Sequence, residues 1–188
     1  MTLNSLIKRF QQVSDIFLFG STVRGKLKPQ DTDILILFKD KVDKEVEYSI
    51  RKILEKRYPR LSIISKTEKT VLDESFDARE SILFEGKSLI SGKKFADRYG
   101  FQSFGLFKYD FGSWSKLQKT KFYYVLNGRA GRQGMADVLG CIKMFDSALL
   151  VPLEKIDPLK DFLDSWNLRY TYIPLLIPKR LSRKKILE

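Results

Sequence analysis

The chain contains no histidine, and this absence removes whole classes of active site. None of its 188 residues can complete a Ser-His-Asp triad or a Cys-His pair, and no zinc or iron site can be held by imidazole. Any chemistry must therefore use carboxylates, hydroxyls, lysine, arginine, backbone amides and a hard metal ion.

Cysteine and long apolar segments are also scarce. Cys141 is the only cysteine, so an intrachain disulfide is impossible, and its position between Leu139 and Ile142 is typical of a core residue. No apolar run approaches the roughly 20 residues of a membrane span. Residues 1–12 are predicted to form an amphipathic helix, because Leu3, Leu6, Ile7 and Phe10 fall on one face. They lack the apolar block and cleavage site of a signal peptide. These features predict a cytoplasmic protein with no membrane contact.

Positive charge is concentrated in the second half of the chain. The formal net charge is +12; residues 1–91 hold 17 Lys and Arg against 14 Asp and Glu, whereas residues 92–188 hold 18 against 9. Neutralisation of phosphate is the commonest reason for such a surplus, although a basic surface can also serve solubility. The charge therefore favours nucleic acid as a partner of the second half.

Two polar segments in the first half adjoin apolar runs. Ile16–Phe19 leads into Gly20-Ser21, and Ile34–Phe38 follows Asp31 and Asp33. Each polar segment is therefore predicted to lie at the end of a strand. Because Asp31 and Asp33 are two residues apart in an extended segment, their side chains are expected on the same side. Such neighbouring carboxylates repel each other unless a cation is present, and their oxygens suit Mg²⁺.

The Gly20-Ser21 turn supplies groups of the opposite kind. Glycine lets the backbone turn sharply and approach a ligand, while Ser21 and the amides after it can donate hydrogen bonds to an anion. A phosphate site that faces a metal site is the arrangement required for phosphoryl or nucleotidyl transfer. The whole segment therefore predicts this class of reaction.

Three elements of the segment carry a family resemblance: Gly20-Ser21, Arg24-Gly25 and Asp31-Thr32-Asp33. Together they resemble the signature of the DNA polymerase beta-type nucleotidyltransferase superfamily, in its minimal branch. The resemblance extends to about residue 92, because residues 81–90 are similar to the closing helix and Glu-Gly turn of many minimal domains. It implies an α+β fold in which helices flank a mixed sheet.

The resemblance also implies roles for individual residues. It assigns the triphosphate of an NTP to Gly20 and Ser21, with Arg24 assisting. It assigns Mg²⁺ or Mn²⁺ to Asp31 and Asp33, which makes these two aspartates the candidate catalytic residues.

One expected feature of the family is missing. Active members usually carry a third carboxylate on the strand after the next helix. The helix is predicted over residues 44–58, capped by Asp43, and the strand over residues 61–65, which contain no acid. Ser62 or Ile64 stands where the carboxylate is expected. Glu68 could reach the site if the strand continued, and otherwise it is a solvated charge.

The remaining chain predicts a smaller, basic α+β domain over residues 93–178, followed by a basic tail over residues 179–188. The boundary lies near a short polar segment at residues 91–94. Within this domain the pattern predicts helices and strands at residues 116–126 (helix), 148–153 (strand), 157–166 (helix) and 170–177 (strand).

Two features of the second domain are compatible with nucleic-acid binding. Residues 128–134 place two arginines among three glycines, which is typical of either a loop that clamps a phosphate backbone or a glycine-rich helix end. Residues 108–124 interleave aromatic side chains with lysines, as a base-stacking surface does. Aromatic residues at helical spacing are more often core, and Phe122 is assigned to the core.

The sequence thus favours an enzyme: a metal-dependent nucleotidyltransferase that uses an NTP and acts on RNA, with a protein hydroxyl or a small molecule as rival acceptors. The missing carboxylate keeps a second hypothesis open, in which the fold has lost catalysis and binds nucleic acid or protein. Minimal nucleotidyltransferases similar to this one also serve as antitoxins, so a protein partner of that kind is a third hypothesis.

Overall fold

The computed structural model describes residues 9–27, 30–58 and 60–182. It divides the chain into two compact units, Met1–Tyr99 and Gly100–Glu188. Most of the predicted helix over residues 1–12, and residues 183–188 of the predicted tail, lie outside the described residues. Among the residues described, no helix is long and apolar enough to cross a membrane.

The first unit is built on a four-stranded mixed sheet of order β3-β2-β1-β4. Strands β1 and β2 are antiparallel, β2 and β3 are parallel, and β4 is antiparallel to β1. The predicted α+β class and mixed sheet are therefore confirmed. The elements of this unit are β1 (Val13–Phe19), β2 (Thr32–Phe38), α1 (Lys44–Leu54), β3 (Leu61–Thr67), α2 (Arg79–Glu85), β4 (Lys87–Ser88) and a 3₁₀ helix (Phe95–Tyr99).

The parallel pair requires a crossover, and α1 provides it. Asp43 begins this helix as predicted, because its carboxylate accepts hydrogen bonds from the Glu45 and Val46 amides. The helix ends at Leu54, four residues before the predicted end at Tyr58.

Strand β2 lies in the centre of the sheet and is buried on both faces, as its nearly continuous apolar sequence dictates. Ile34 and Ile36 pack on one face with Ile50 of α1. Leu35 and Leu37 point to the other face, which is covered by a second apolar cluster that includes Phe76, Ile82 and Phe95. This burial holds the polar start of β2 at the edge of a rigid core.

The first unit extends past residue 92 because residues 95–99 pack onto its sheet. Phe95 is almost fully buried against Phe17. Arg98 binds the buried carboxylate of Asp15 at 2.9 Å. The division between the units accordingly falls between Tyr99 and Gly100.

The second unit contains an antiparallel sheet of order β10-β5-β9-β8 and a separate two-stranded hairpin, β6-β7. The predicted helices and strands are present, with each end shifted by at most one residue. The strand Phe101–Asp110 is an addition to the predicted elements. The elements are β5 (Phe101–Asp110), α3 (Lys116–Asn127), β6 (Gly128–Arg129), β7 (Arg132–Gln133), α4 (Met135–Val138), β8 (Ile142–Phe145), β9 (Ala148–Pro152), a 3₁₀ helix (Leu153–Lys155), α5 (Ile156–Ser165), β10 (Arg169–Pro178) and α6 (Lys179–Ser182).

Aromatic side chains form much of the core of the second unit. Phe122 is fully buried and Tyr109 is 2% exposed, so the assignment of Phe122 to the core is confirmed and Tyr109 joins it. The thiol of Cys141 is partly buried, and this burial raises its pKa to about 12. A thiol with so high a pKa is not a nucleophile at neutral pH.

Candidate active site

Three strand ends meet at one edge of the first sheet. Phe19, the last residue of β1, pairs with Asp33 near the start of β2, and Asp33 pairs with Ser62 near the start of β3. Gly20 follows β1 directly and Asp31 precedes β2 directly. The fold therefore brings the glycine turn and both aspartates to the same edge, although nine residues separate the two sequence segments.

The turn and Asp33 are in direct contact. Gly20 has a φ of +78°, and a Cβ atom placed on it would lie 2.6 Å from Oδ2 of Asp33. Only glycine satisfies both conditions, because other residues rarely adopt this φ and would collide with the carboxylate. The two halves of the predicted site thus form one site.

Residues 20–26 curl into a compact turn. The Gly20 carbonyl accepts hydrogen bonds from the amides of Val23 at 3.0 Å and Arg24 at 3.4 Å. Within the described residues, the amides of Ser21 and Thr22 donate to no backbone carbonyl. The hydroxyl of Thr22 is buried and likewise has no hydrogen-bond partner in that part of the chain. The two amides are therefore free of described backbone partners at the turn, whereas the buried Thr22 hydroxyl is closed to solvent.

The two aspartates repel each other. Burial raises the pKa of Asp33, and the negative charge of Asp31 raises this pKa further. A hydrogen bond from Ser62 and the positive charge of Arg24 act in the opposite direction without cancelling the shift. Such a pair favours a bound cation.

The donor set fits a magnesium ion that completes its coordination with other ligands. Mg²⁺ is typically bound by one or two carboxylates together with water and substrate phosphates. No cluster of three or more His, Cys, Asp or Glu side chains suited to a metal occurs within the described residues. Asp31 and Asp33 therefore resemble the protein half of a site that a triphosphate would complete.

Ser62 occupies the position beside Asp33 on the neighbouring strand. Its hydroxyl lowers the pKa of the Asp33 carboxylate, against the larger effect of burial. Of the two positions considered for the third carboxylate, Ser62 is thus the one in contact with the site. A neutral hydroxyl stands there in place of an acid.

Glu68 lies at the opposite end of the sheet. Its amide donates to the carbonyl of Phe38, the last residue of β2, and its carboxylate accepts from the Ser14 hydroxyl. Since β2 and β3 are parallel over seven residues, about 20 Å of strand separates this end from Asp33. Glu68 therefore does not complete the site.

Residues 1–89 match the family described as the nucleotidyltransferase domain. Residues 1–89 are therefore similar to nucleotidyltransferase domains. The superfamily resemblance of the motif is thereby confirmed. The family match ends before the second unit, to which it assigns no function.

Two further comparisons add little to this assignment. No curated protein matches the chain. A crystal structure of a mutant of the toxin-antitoxin MntA-HpeT is similar at 17% sequence identity, with 52% of this chain and 75% of that chain covered and a TM-score of 0.37. At this TM-score the similarity supports no conclusion about function or partners.

Glu85 is a residue of the matched segment for which the sequence suggested no role in the site. It is the last residue of α2 and is only 7% exposed. One carboxylate oxygen accepts from the Gly20 amide at 2.7 Å, and the other accepts from the Arg24 guanidinium at 2.6 Å. The carboxylate thus joins Gly20 and Arg24 within the turn.

A sequence signal for Glu85 does exist. It follows the apolar residues Ile82-Leu83-Phe84 and precedes Gly86, so a carboxylate is placed at the end of a buried helix. A buried carboxylate requires a partner. Arg24 is a candidate, because it belongs to the motif that also contains Gly20 and the two aspartates. The sequence does not show which of several cations that partner is.

Proposed function

We propose that the chain is a metal-dependent nucleotidyltransferase that takes a nucleotidyl group from an NTP and transfers it to a hydroxyl of RNA. The single observation that carries this proposal is the close packing of Gly20 against the Asp33 carboxylate. Because of it, the groups suited to phosphate and those suited to a metal ion share one site.

Each residue has a role in this proposal. Asp31 and Asp33 would hold Mg²⁺ or Mn²⁺, and such an ion would neutralise phosphate charge and activate the attacking oxygen. Ser21 and the turn of Gly20 receive the triphosphate. Arg24, oriented by Glu85, adds positive charge beside it.

The rate is expected to be limited by proton transfer. With Ser62 beside Asp33, the site has no third carboxylate to accept the proton of the attacking hydroxyl. A general base contributes about 10² to 10⁴-fold to such a step. Slow transfer is therefore expected, compared with a site that has three carboxylates.

Charge supports RNA as the acceptor. The second half of the chain holds twice as many Lys and Arg as Asp and Glu, and basic surfaces attract nucleic acid through phosphate neutralisation.

The proposal is tested by incubating the purified protein with each labelled NTP, Mg²⁺ or Mn²⁺ and total cellular RNA. Asp31→Ala/Asp33→Ala is compared with Asp40→Ala/Glu45→Ala, a matched control that removes two exposed acids beyond the other end of β2. Label is expected in RNA with the unmutated chain and the control, and not with the site variant. Equal transfer by all three proteins would refute the assignment.

A second candidate is supported by Ser62, which leaves the site one carboxylate short. In this case the fold is retained to bind nucleic acid, or a protein partner as an antitoxin does. Absence of transfer by every protein, with RNA retained by both the unmutated chain and Asp31→Ala/Asp33→Ala, would favour this binding function.

A further inference from the structure

The hairpin β6-β7 projects from the end of helix α3 in the second unit. Its two-residue turn, Ala130-Gly131, has positive φ at both positions, +51° and +81°. This is the backbone of a type I′ turn, which matches the twist of a tight hairpin. The glycine-rich segment is therefore an ordered hairpin rather than an irregular loop.

Glycines at the base of the hairpin allow two backbone segments to touch. A Cβ on Gly128 would lie 2.2 Å from the Arg132 carbonyl oxygen, and a Cβ on Gly134 would lie 2.3 Å from the Leu126 carbonyl oxygen. No side chain fits at either position. The hairpin thus packs closely against the end of α3.

Two arginines occupy this hairpin in an arrangement that is unfavourable by itself. Arg129 and Arg132 are direct partners across the two strands, and both are exposed. Like charges directly opposite each other destabilise a strand pair. Among the described residues, neither arginine forms an ion pair with an acid. A bound anion would relieve this repulsion.

An exposed aromatic ring lies beside the arginines. The guanidinium of Arg129 is 4.3 Å from the centre of the Tyr124 ring, and Tyr124 is 44% exposed. Lys121 and Leu117 lie three and seven residues before Tyr124, so they continue the same face of α3. This face and the hairpin form a basic hairpin surface consisting of Leu117, Lys121, Tyr124, Arg129 and Arg132.

The surface lies within an acid-free part of the chain. Residues 111–136 contain five Lys and Arg and no Asp or Glu. Among the acids of the second unit, Asp157, Asp161 and Asp164 lie together on α5 instead. Positive charge is therefore concentrated where Tyr124 is exposed.

We infer that the basic hairpin surface binds single-stranded RNA. Arg129 and Arg132 bind neighbouring phosphates, and a base stacks on the face of the Tyr124 ring that Arg129 does not cover, which is possible only where bases are unpaired. An acidic protein would use the arginines but not the open ring. The inference rests on the proposed function, in which RNA is the acceptor.

The test measures anisotropy of a labelled single-stranded RNA of about 12 nucleotides at increasing KCl, without NTP and with a chelator present. The full chain is compared with Arg129→Gln/Arg132→Gln. Lys155→Gln/Arg169→Gln is the matched control, because it removes the same charge from two exposed residues outside α3 and the hairpin.

The hairpin variant is expected to lose affinity about tenfold more than the control. The slope of log affinity against log salt should fall by about 1.4, at about 0.7 for each single-strand phosphate contact. Tyr124→Ala should lose about tenfold, the order of one stacked base, and Tyr124→Phe should restore binding. Equal losses in the hairpin variant and the control would overturn the inference, as would equal affinity for an acidic peptide.

This measurement is independent of catalysis. If the chain transfers a nucleotidyl group to RNA but the hairpin variant has unchanged RNA affinity, this inference is refuted and the proposed function stands. RNA binding that depends on the hairpin, with no transfer under any condition, would support the inference and refute the proposed function.

Discussion

The guanidinium of Arg24 lies 2.6 Å from the carboxylate of Glu85, a residue 61 positions later in the chain. The same carboxylate accepts the Gly20 amide, so helix α2 and the turn after β1 are joined by one charged group. The shape of the turn therefore depends on a residue outside the sequence motif.

Replacement of Glu85 by glutamine is expected to lower the free energy of unfolding by about 1–3 kcal/mol, because it removes a charged hydrogen-bond partner from a buried site. Urea unfolding measures this change. Glu80→Gln is the control, since its ion pair with Arg79 is exposed and is expected to contribute nothing measurable. Similar losses for both variants would contradict the role given to burial.

Gly20→Ala is expected to abolish nucleotidyl transfer, because the new Cβ displaces the Asp33 carboxylate. Gly92→Ala is a matched control: Gly92 also has a positive φ, +71°, but nothing lies within 4 Å of its Cβ position. Both variants should lose stability through backbone strain, by more than about 1 kcal/mol. Only Gly20→Ala should also lose transfer and Mg²⁺ binding, measured by calorimetry. If Gly20→Ala retains its Mg²⁺ affinity, the close packing of Gly20 against the Asp33 carboxylate is not required for metal binding, and this prediction is wrong.

Asp33→Asn is expected to stabilise the fold at neutral pH while it removes a candidate metal ligand. Burial and Asp31 raise the pKa of Asp33 in the folded state, so the folded state binds this proton more tightly than the unfolded state does. The unfolding free energy of the unmutated chain should therefore fall as pH rises from about 4 through this raised pKa. Urea unfolding is measured at several pH values without metal. The free energy of unfolding of Asp33→Asn, relative to that of the unmutated chain, should increase over the same pH range. A less stable variant at neutral pH would contradict this electrostatic account.

Ser62→Asp is expected to increase the affinity for Mg²⁺, because it adds a third carboxylate beside Asp33. If the protein catalyses transfer, the added base should raise the rate by about 10²-fold or more. Ser62→Asn is the control of similar size without the charge. Calorimetry with Mg²⁺ and the labelled NTP assay measure the two effects. Equal behaviour of both variants would show that position 62 does not contribute to the site.

The elements predicted correctly depend on short-range patterns. Asp43 precedes a helix whose apolar residues recur on one face, so both the cap and the helix follow from neighbouring residues. The turn at Gly20-Ser21 and the pair Asp31 and Asp33 were recognised because apolar runs of strand length adjoin them. Strand β5 is not among the predicted elements; its alternation is limited to residues 107–110, where buried aromatic residues alternate with exposed charged ones, and Gly105 interrupts the apolar residues before it.

Long-range pairing decided what the local patterns left open. Because β3 runs parallel to β2, Glu68 lies at the far end of the sheet, whereas Ser62 lies beside Asp33. Strand direction is set by the α1 crossover and by packing of the core, and no short stretch of sequence encodes it.

The sequence by itself determined the kind of chemistry available to this protein. It lacks histidine, and it spaces a glycine turn and two aspartates so that each adjoins a strand. Only the tertiary structure decided that Gly20 touches Asp33, that Glu85 binds Arg24 and that Arg129 lies over Tyr124. The physical reason is that residue type and spacing act through local backbone preference, whereas contacts between distant residues or separate elements depend on how the apolar faces of the strands and helices pack together.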